Sequence, residues 1–155
     1  MTGRLLLLAH LAGTILFYGN MVAAWLGYLQ SRDSSDPRVH RLVFRGIDSG
    51  DRWLTPVSVV VLVASGIASA RVLGLPLIGT RWIAWSIGAF ALSGAVFALR
   101  LVGLQRALVV AATRGEAGEA WDLDAFRVAR SRWARWALLG TGLGCVPLSL
   151  MVLRP

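Results

Sequence analysis

Apolar residues along this chain do not alternate with polar ones but run in four long blocks. The first, Leu5 to Leu29, reads LLLLAHLAGTILFYGNMVAAWLGYL. It exceeds the ~20 residues an α-helix needs to cross a ~30 Å hydrocarbon core. Arginines rule off the other three, with 18 uncharged residues between Arg52 and Arg71, between Arg81 and Arg100, and between Arg135 and Arg154. Such a run spans about 27 Å as a helix, close to one bilayer core. The pattern predicts an all-α, integral membrane four-helix bundle forming one transmembrane domain over 1–155, with helices at about 5–29, 53–71, 82–104 and 134–153. Trp25, Trp53, Trp82, Trp85, Trp133 and Trp136 fall near the expected helix ends, as an aromatic belt requires. Arg4 and the candidate cleavage site Val22-Ala23-Ala24 imitate a signal peptide. The apolar run continues past that site to Leu29, so the segment is expected to be a helix of the mature protein.

The connections carry a second pattern. Asp36-Pro37 has the form of a helix start, an N-cap acid followed by proline in the first turn. After it Val39, Leu42, Val43 and Ile47 alternate with Arg38, Arg41 and Arg45. The RGEAGEA run reads as flexible, and from Asp122 or Asp124 Phe126, Ala129 and Trp133 share one side of a helix with arginines around the other. Two short amphipathic helices, 37–47 and 124–134, are expected on the cytoplasmic membrane surface, with Leu42, Val43, Phe126 and Trp133 turned to lipid or protein. His40 is expected to be an exposed interfacial histidine.

Composition agrees. The chain is 56% hydrophobic and 15% charged, with mean hydropathy +0.64, against about 25% charge in soluble domains. A net charge of +8 would suggest nucleic acid in a soluble protein. Here all 16 basic residues are arginine and most flank apolar runs, so the expected partner is the lipid bilayer and not nucleic acid. A membrane partner protein or a homo-oligomer stays open. The segments 30–52 and 105–132 hold ten arginines, against Arg4, Arg71, Arg81 and Arg154 on the opposite face. The positive-inside rule then puts both termini outside and the long connections in the cytoplasm, in a bacterial inner membrane. The single Cys145 can form no internal disulfide.

Candidate chemistry centres on His10, the one histidine within an apolar block. Ionisable side chains at membrane depth face a bundle interior, a cavity or a cofactor. Matched for depth, Ser65, Gly66, Ile87, Gly88, Leu148 and Ser149 should lie level with His10, with Gly13, Thr14 and Pro147 about one turn away. Two accounts fit. The small residues let helices approach closely, with His10 hydrogen-bonded to Ser65 or Thr14, or they leave room for a flat cofactor whose metal His10 ligates. Asn20 and Thr55 should share an interhelical hydrogen bond, and Ser86, Ser93 and Arg100, seven apart, should share a face. The GTGLG run at 140–144 has no strand before it and is no dinucleotide motif. All eight acids fall in the connections, which argues against a pump built on a buried carboxylate.

The opening LLLLAHLAGTILFYGN, the Arg-Trp-Leu-Thr-Pro entry to the second helix and the Arg-Pro ending resemble a bacterial integral-membrane family catalogued as domain of unknown function 2269, over nearly the whole chain. The layout more distantly resembles the HemJ type of protoporphyrinogen oxidase and the CopD-like copper-resistance membrane proteins. In the haem-binding relatives a first-helix histidine ligates iron, and His10 holds the matching position. Their functional lysine near the third helix is replaced here by Arg81-Trp82, and arginine does not ligate iron. The departure speaks against protoporphyrinogen oxidation and leaves b-type haem binding open. His10 would be the metal ligand, Arg71 or Arg81 would be propionate partners, and Met151 is a conceivable sixth ligand. The expected function is electron transfer or redox chemistry. The alternatives are a non-catalytic packing or partner-binding module, or copper handling by His10 with Cys145 or the methionines.

Overall fold

The computed structural model describes residues 2–119 and 121–153. Arg154 and the Arg-Pro ending lie outside the described residues. Four helices are long and apolar enough to cross a membrane: α1 (Thr2–Ser31), α2 (Pro37–Val72), α3 (Arg81–Glu116) and α4 (Leu123–Leu153). Neighbours run antiparallel, as contacting pairs show. Gly13 meets Leu62 and Gly27 meets Val43 across α1 and α2. Asp51 meets Gln105 and Arg41 meets Glu116 across α2 and α3. Ser93 meets Gly140, and Arg100 meets Trp136, across α3 and α4. The turn at 32–36 and the connection that follows Glu116 therefore share one end, the loop end, and the 73–80 turn lies at the other.

The helix boundaries have local causes. Asp36 caps α2 by accepting from the Arg38 N–H at 2.8 Å, with Pro37 at the first helical position. Gly74 and Gly118 take φ of 65° and 83° just past α2 and α3, a left-handed conformation that favours glycine. Their arrival lets Leu75 N–H reach Ala70 O and Glu119 N–H reach Arg114 O, satisfying late carbonyls.

The helices are longer than the bilayer needs. At 36 residues each, α2 and α3 extend about 54 Å against a core of about 30 Å. The excess of α2 is its arginine-rich start, so residues 37–50 stand beyond the spanning segment near 53–71. This corrects the expected surface helices: 37–47 and 124–134 are the opening turns of α2 and α4, continuous with them. Phe126 and Trp133 turn inward and are buried, Val43 packs against the core, and Leu42 stays exposed. The RGE of the expected flexible run belongs to α3.

The main core sits at this loop end: Phe44, Ile47, Leu101, Leu108, Ala112, Phe126, Trp133 and Ala137. The physical reason is solvent. Within lipid no hydrophobic force presses helices together, whereas past the bilayer apolar side chains gain by leaving water. Deeper in the membrane α1 presents Leu8, Ile15 and Val22 outward, and among its described residues only Gly13 and Ser31 are buried.

Candidate functional site

His10 sits at a close contact between α1 and α2. A Cβ on Gly13 would come within 3.1 Å of the Leu62 nitrogen, and one on Gly66 within 3.2 Å of His10 Cε1. These glycines thus permit the backbone approach and the seating of the imidazole. His10 Nδ1 lies 3.1 Å from the Leu62 carbonyl and 3.1 Å from Ser65 Oγ. A carbonyl only accepts, so Nδ1 carries a proton in this contact. Thr14 donates to the His10 carbonyl at 2.7 Å. Beside the ring is a cleft of about 20 Å³ that Phe90, Pro147 and Met151 also line. Of the residues matched for depth, Ser65, Gly66 and Thr14 meet His10, and Gly13 packs on Leu62. Gly88 does not join them; it is exposed, and a Cβ added there would meet nothing within 4 Å. Arg71 and Arg81 are exposed at the two ends of the 73–80 turn. Cys145 is exposed and Met21 lines a different cavity.

That second cavity, about 190 Å³, lies between the α1–α2 pair and the α3–α4 pair. The two pairs are internally well packed, while α1 and α4 meet through side chains that reach across. Tyr18 O–H donates to the Gly144 carbonyl, and Trp25 Nε1 donates to Thr141 Oγ1 at 3.1 Å. Phe17, Trp25, Phe90, Phe97 and Trp133 give the cavity aromatic walls. Its polar edge is Asp51, a carboxylate on which three helices converge. Asn20 Nδ2 of α1 donates to Oδ1 at 3.0 Å, Thr55 Oγ1 of α2 to Oδ1 at 3.3 Å, and Gln105 Nε2 of α3 to Oδ2 at 2.7 Å. The anticipated Asn20–Thr55 bond is also present, at 3.1 Å. A Cβ on Gly50 would press on the Asn20 side-chain oxygen, so a larger residue there would displace Asn20 from Asp51.

Two features produce this constellation. The first is the length of α2, which brings Asp51 into the bundle wall; placing all the acids in connections missed it. The second is a π-helical turn in α3 at Phe97–Leu101. Before it Ser86 and Ser93, seven apart, are buried; after it the inward positions are Leu101 and Leu108, again seven apart. The wide turn absorbs one residue, so Arg100 leaves the shared face and lies over the Trp136 ring at 5.2 Å. In an unbroken α-helix Ser93 and Gln105 would differ by about 120° around the axis, and absorbing one residue cuts this to about 20°.

At the loop end His40, expected to be exposed, is wholly buried. Its Nε2 donates to the Ser34 carbonyl at 3.0 Å and its ring packs on Phe126 with centroids 4.6 Å apart. Burial pushes its pKa below the ordinary 6.5, and the bond to Ser34 opposes that only in part. Arg130, also buried, lies over Tyr28 at 5.8 Å. The periodicity that marked Leu42 and Val43 as apolar could have placed His40 opposite Leu42 on α2, against Phe126.

Four antiparallel apolar helices, with a histidine clamp in one half and a carboxylate-edged cavity in the other, define a polytopic α-helical membrane protein. The chain belongs to the family described as predicted integral membrane protein (DUF2269), whose model matches residues 4–155. No match was found among curated proteins or among solved structures.

Proposed function

We propose that this protein is a ligand-binding membrane bundle whose site is the cavity edged by Asp51. The observation that carries the reading is a carboxylate ordered by donors from three helices at the rim of a space of about 190 Å³. A cavity of about 150 Å³ lined by apolar side chains already takes up benzene, so the expected ligand is small. In this reading the arginine-rich loop end faces the cytoplasm and the termini face outward. Enlarging Ala24, which lines the cavity, tests the site. Ala24→Phe should abolish saturable binding of small aromatic probes by the purified protein while the helical circular-dichroism signal persists. Binding unchanged by that substitution would place the ligand elsewhere.

A second reading, b-type haem on His10, draws support from the imidazole itself. Its Nδ1–H is held by a carbonyl, leaving Nε2 available, as in metal-bound histidines. Volume weighs against it. The cleft of about 20 Å³ holds little more than a water, whereas drug-sized ligands need about 300 Å³ or more. A haem would have to part α1 from α4. Protein expressed with ample haem and purified in mild detergent should be colourless. A Soret band lost in His10→Ala would reinstate the haem.

A further inference from the structure

We infer that the ligand of the Asp51 cavity is a small organic ammonium ion with an apolar, preferably aromatic, body. The inference rests on the ligand-binding reading above and adds the chemical class. Charge is the first argument. The Asp51 oxygens meet only the side chains of Asn20, Thr55 and Gln105. Its three donors are neutral, and among the described residues it makes no ion pair. The nearest arginine along the chain, Arg52, is exposed and engages Asp48 at 2.9 Å. Once ionised, the carboxylate has no compensating charge beside this largely apolar space, so a bound cation would be what holds it charged. A neutral guest would leave that charge unmatched and an anion would be repelled, whereas a cation gains a charge-assisted hydrogen bond.

The walls supply the second argument. Phe17, Trp25, Phe90, Phe97 and Trp133 surround the space, and ammonium groups are attracted to aromatic faces, most strongly to tryptophan. Size is the third argument, because about 190 Å³ accepts a benzene ring with one or two further heavy atoms.

The test titrates benzylammonium, benzyl alcohol and benzoate into detergent-purified protein by calorimetry, with the Trp25 and Trp133 fluorescence as a second readout. Benzylammonium should bind saturably, at least about tenfold more tightly than benzyl alcohol, with benzoate weakest. Asp51→Asn should erase the preference for the ammonium and leave benzyl alcohol binding unchanged. Ala24→Phe, which leaves the carboxylate intact, should abolish all binding and serves if Asp51→Asn fails to fold. Equal binding of alcohol and ammonium, indifferent to Asp51→Asn, would overturn the ammonium class while the cavity remains a binding site. Saturable ammonium binding that survives Ala24→Phe would overturn both, as would no binding of any probe.

Discussion

Two histidines show how little a residue type says without its surroundings. His10, at membrane depth, is anchored by a carbonyl and a serine and serves first as a link between α1 and α2. Interhelical hydrogen bonds in membranes average about 0.6 kcal/mol, so His10→Ala should lower thermal stability only slightly. Gly13→Val should do far more, because its side chain would meet the α2 backbone. Gly88→Val, on an open face, is the control, and equal losses from the two glycines would refute the close-approach argument. His40 lies in water-facing structure yet is buried. Its folded-state pKa is below the ordinary 6.5, so on acidification the unfolded chain takes up the proton first. Its contribution is complete above that ordinary value and is lost as pH falls below it. Unfolding temperatures at about pH 7.5 and about pH 5.5 should differ in the wild type and differ less in His40→Phe. That variant should also lose about 1 kcal/mol at both, because the Ser34 carbonyl loses its donor.

Among the elements, α3 departs most from regularity. Its π-helical turn moves the inward line by one residue, which releases Arg100 to the surface and aims Gln105 at Asp51. Deleting the exposed Ala98 removes the residue that the wide turn absorbs, so the turn should close to regular α-helix and leave Gln105, Leu108 and Ala112 facing inward, with only a modest fall in unfolding temperature. Deleting both Ala98 and Leu99 should swing everything after them by about 100°, take those three residues out of their buried positions and lower the unfolding temperature sharply. Similar effects from the two deletions would mean that the turn positions nothing. The extended starts of α2 and α4 follow from the same logic. An arginine-studded amphipathic segment can rest on lipid or pack against partners, and here three neighbouring helix ends were long enough to supply those partners.

For the whole molecule, cohesion is uneven. The loop end is held by an aromatic core and by the half-buried Arg41–Glu116 pair between α2 and α3. The membrane half relies on glycine contacts and single hydrogen bonds, and the cavity lies between the helix pairs against the edge of that core. Arg41→Glu should destabilise by placing two carboxylates together, and Glu116→Arg in the same chain should restore much of the loss. Failure of the double exchange to recover the unfolding temperature would show that the pair contributes by packing alone. In membranes, Glu119→Cys in a Cys145→Ser background should react with an impermeant thiol reagent only from the cytoplasmic side; labelling from outside would reverse the proposed orientation.

The four spans, the antiparallel order, the cap at Asp36 and the Asn20–Thr55 bond were legible in the sequence, because each depends on run length, local backbone preference or depth along one helix. His10 and its contact with Ser65 were legible for the same reason: depth is one-dimensional. What the pattern could not convey was rotation around the axis and the length of helix beyond the bilayer. Gly88 matched His10 in depth yet faces outward, and Arg100 matched Ser93 in spacing yet leaves its face through one wide turn. Asp51 looked like part of a loop because charge ends an apolar run, not because it ends a helix. Thr55, one turn on in the same helix, is a local neighbour, and only packing brought Asn20 and Gln105 to Asp51, since a carboxylate is accommodated where several helices can each offer a donor.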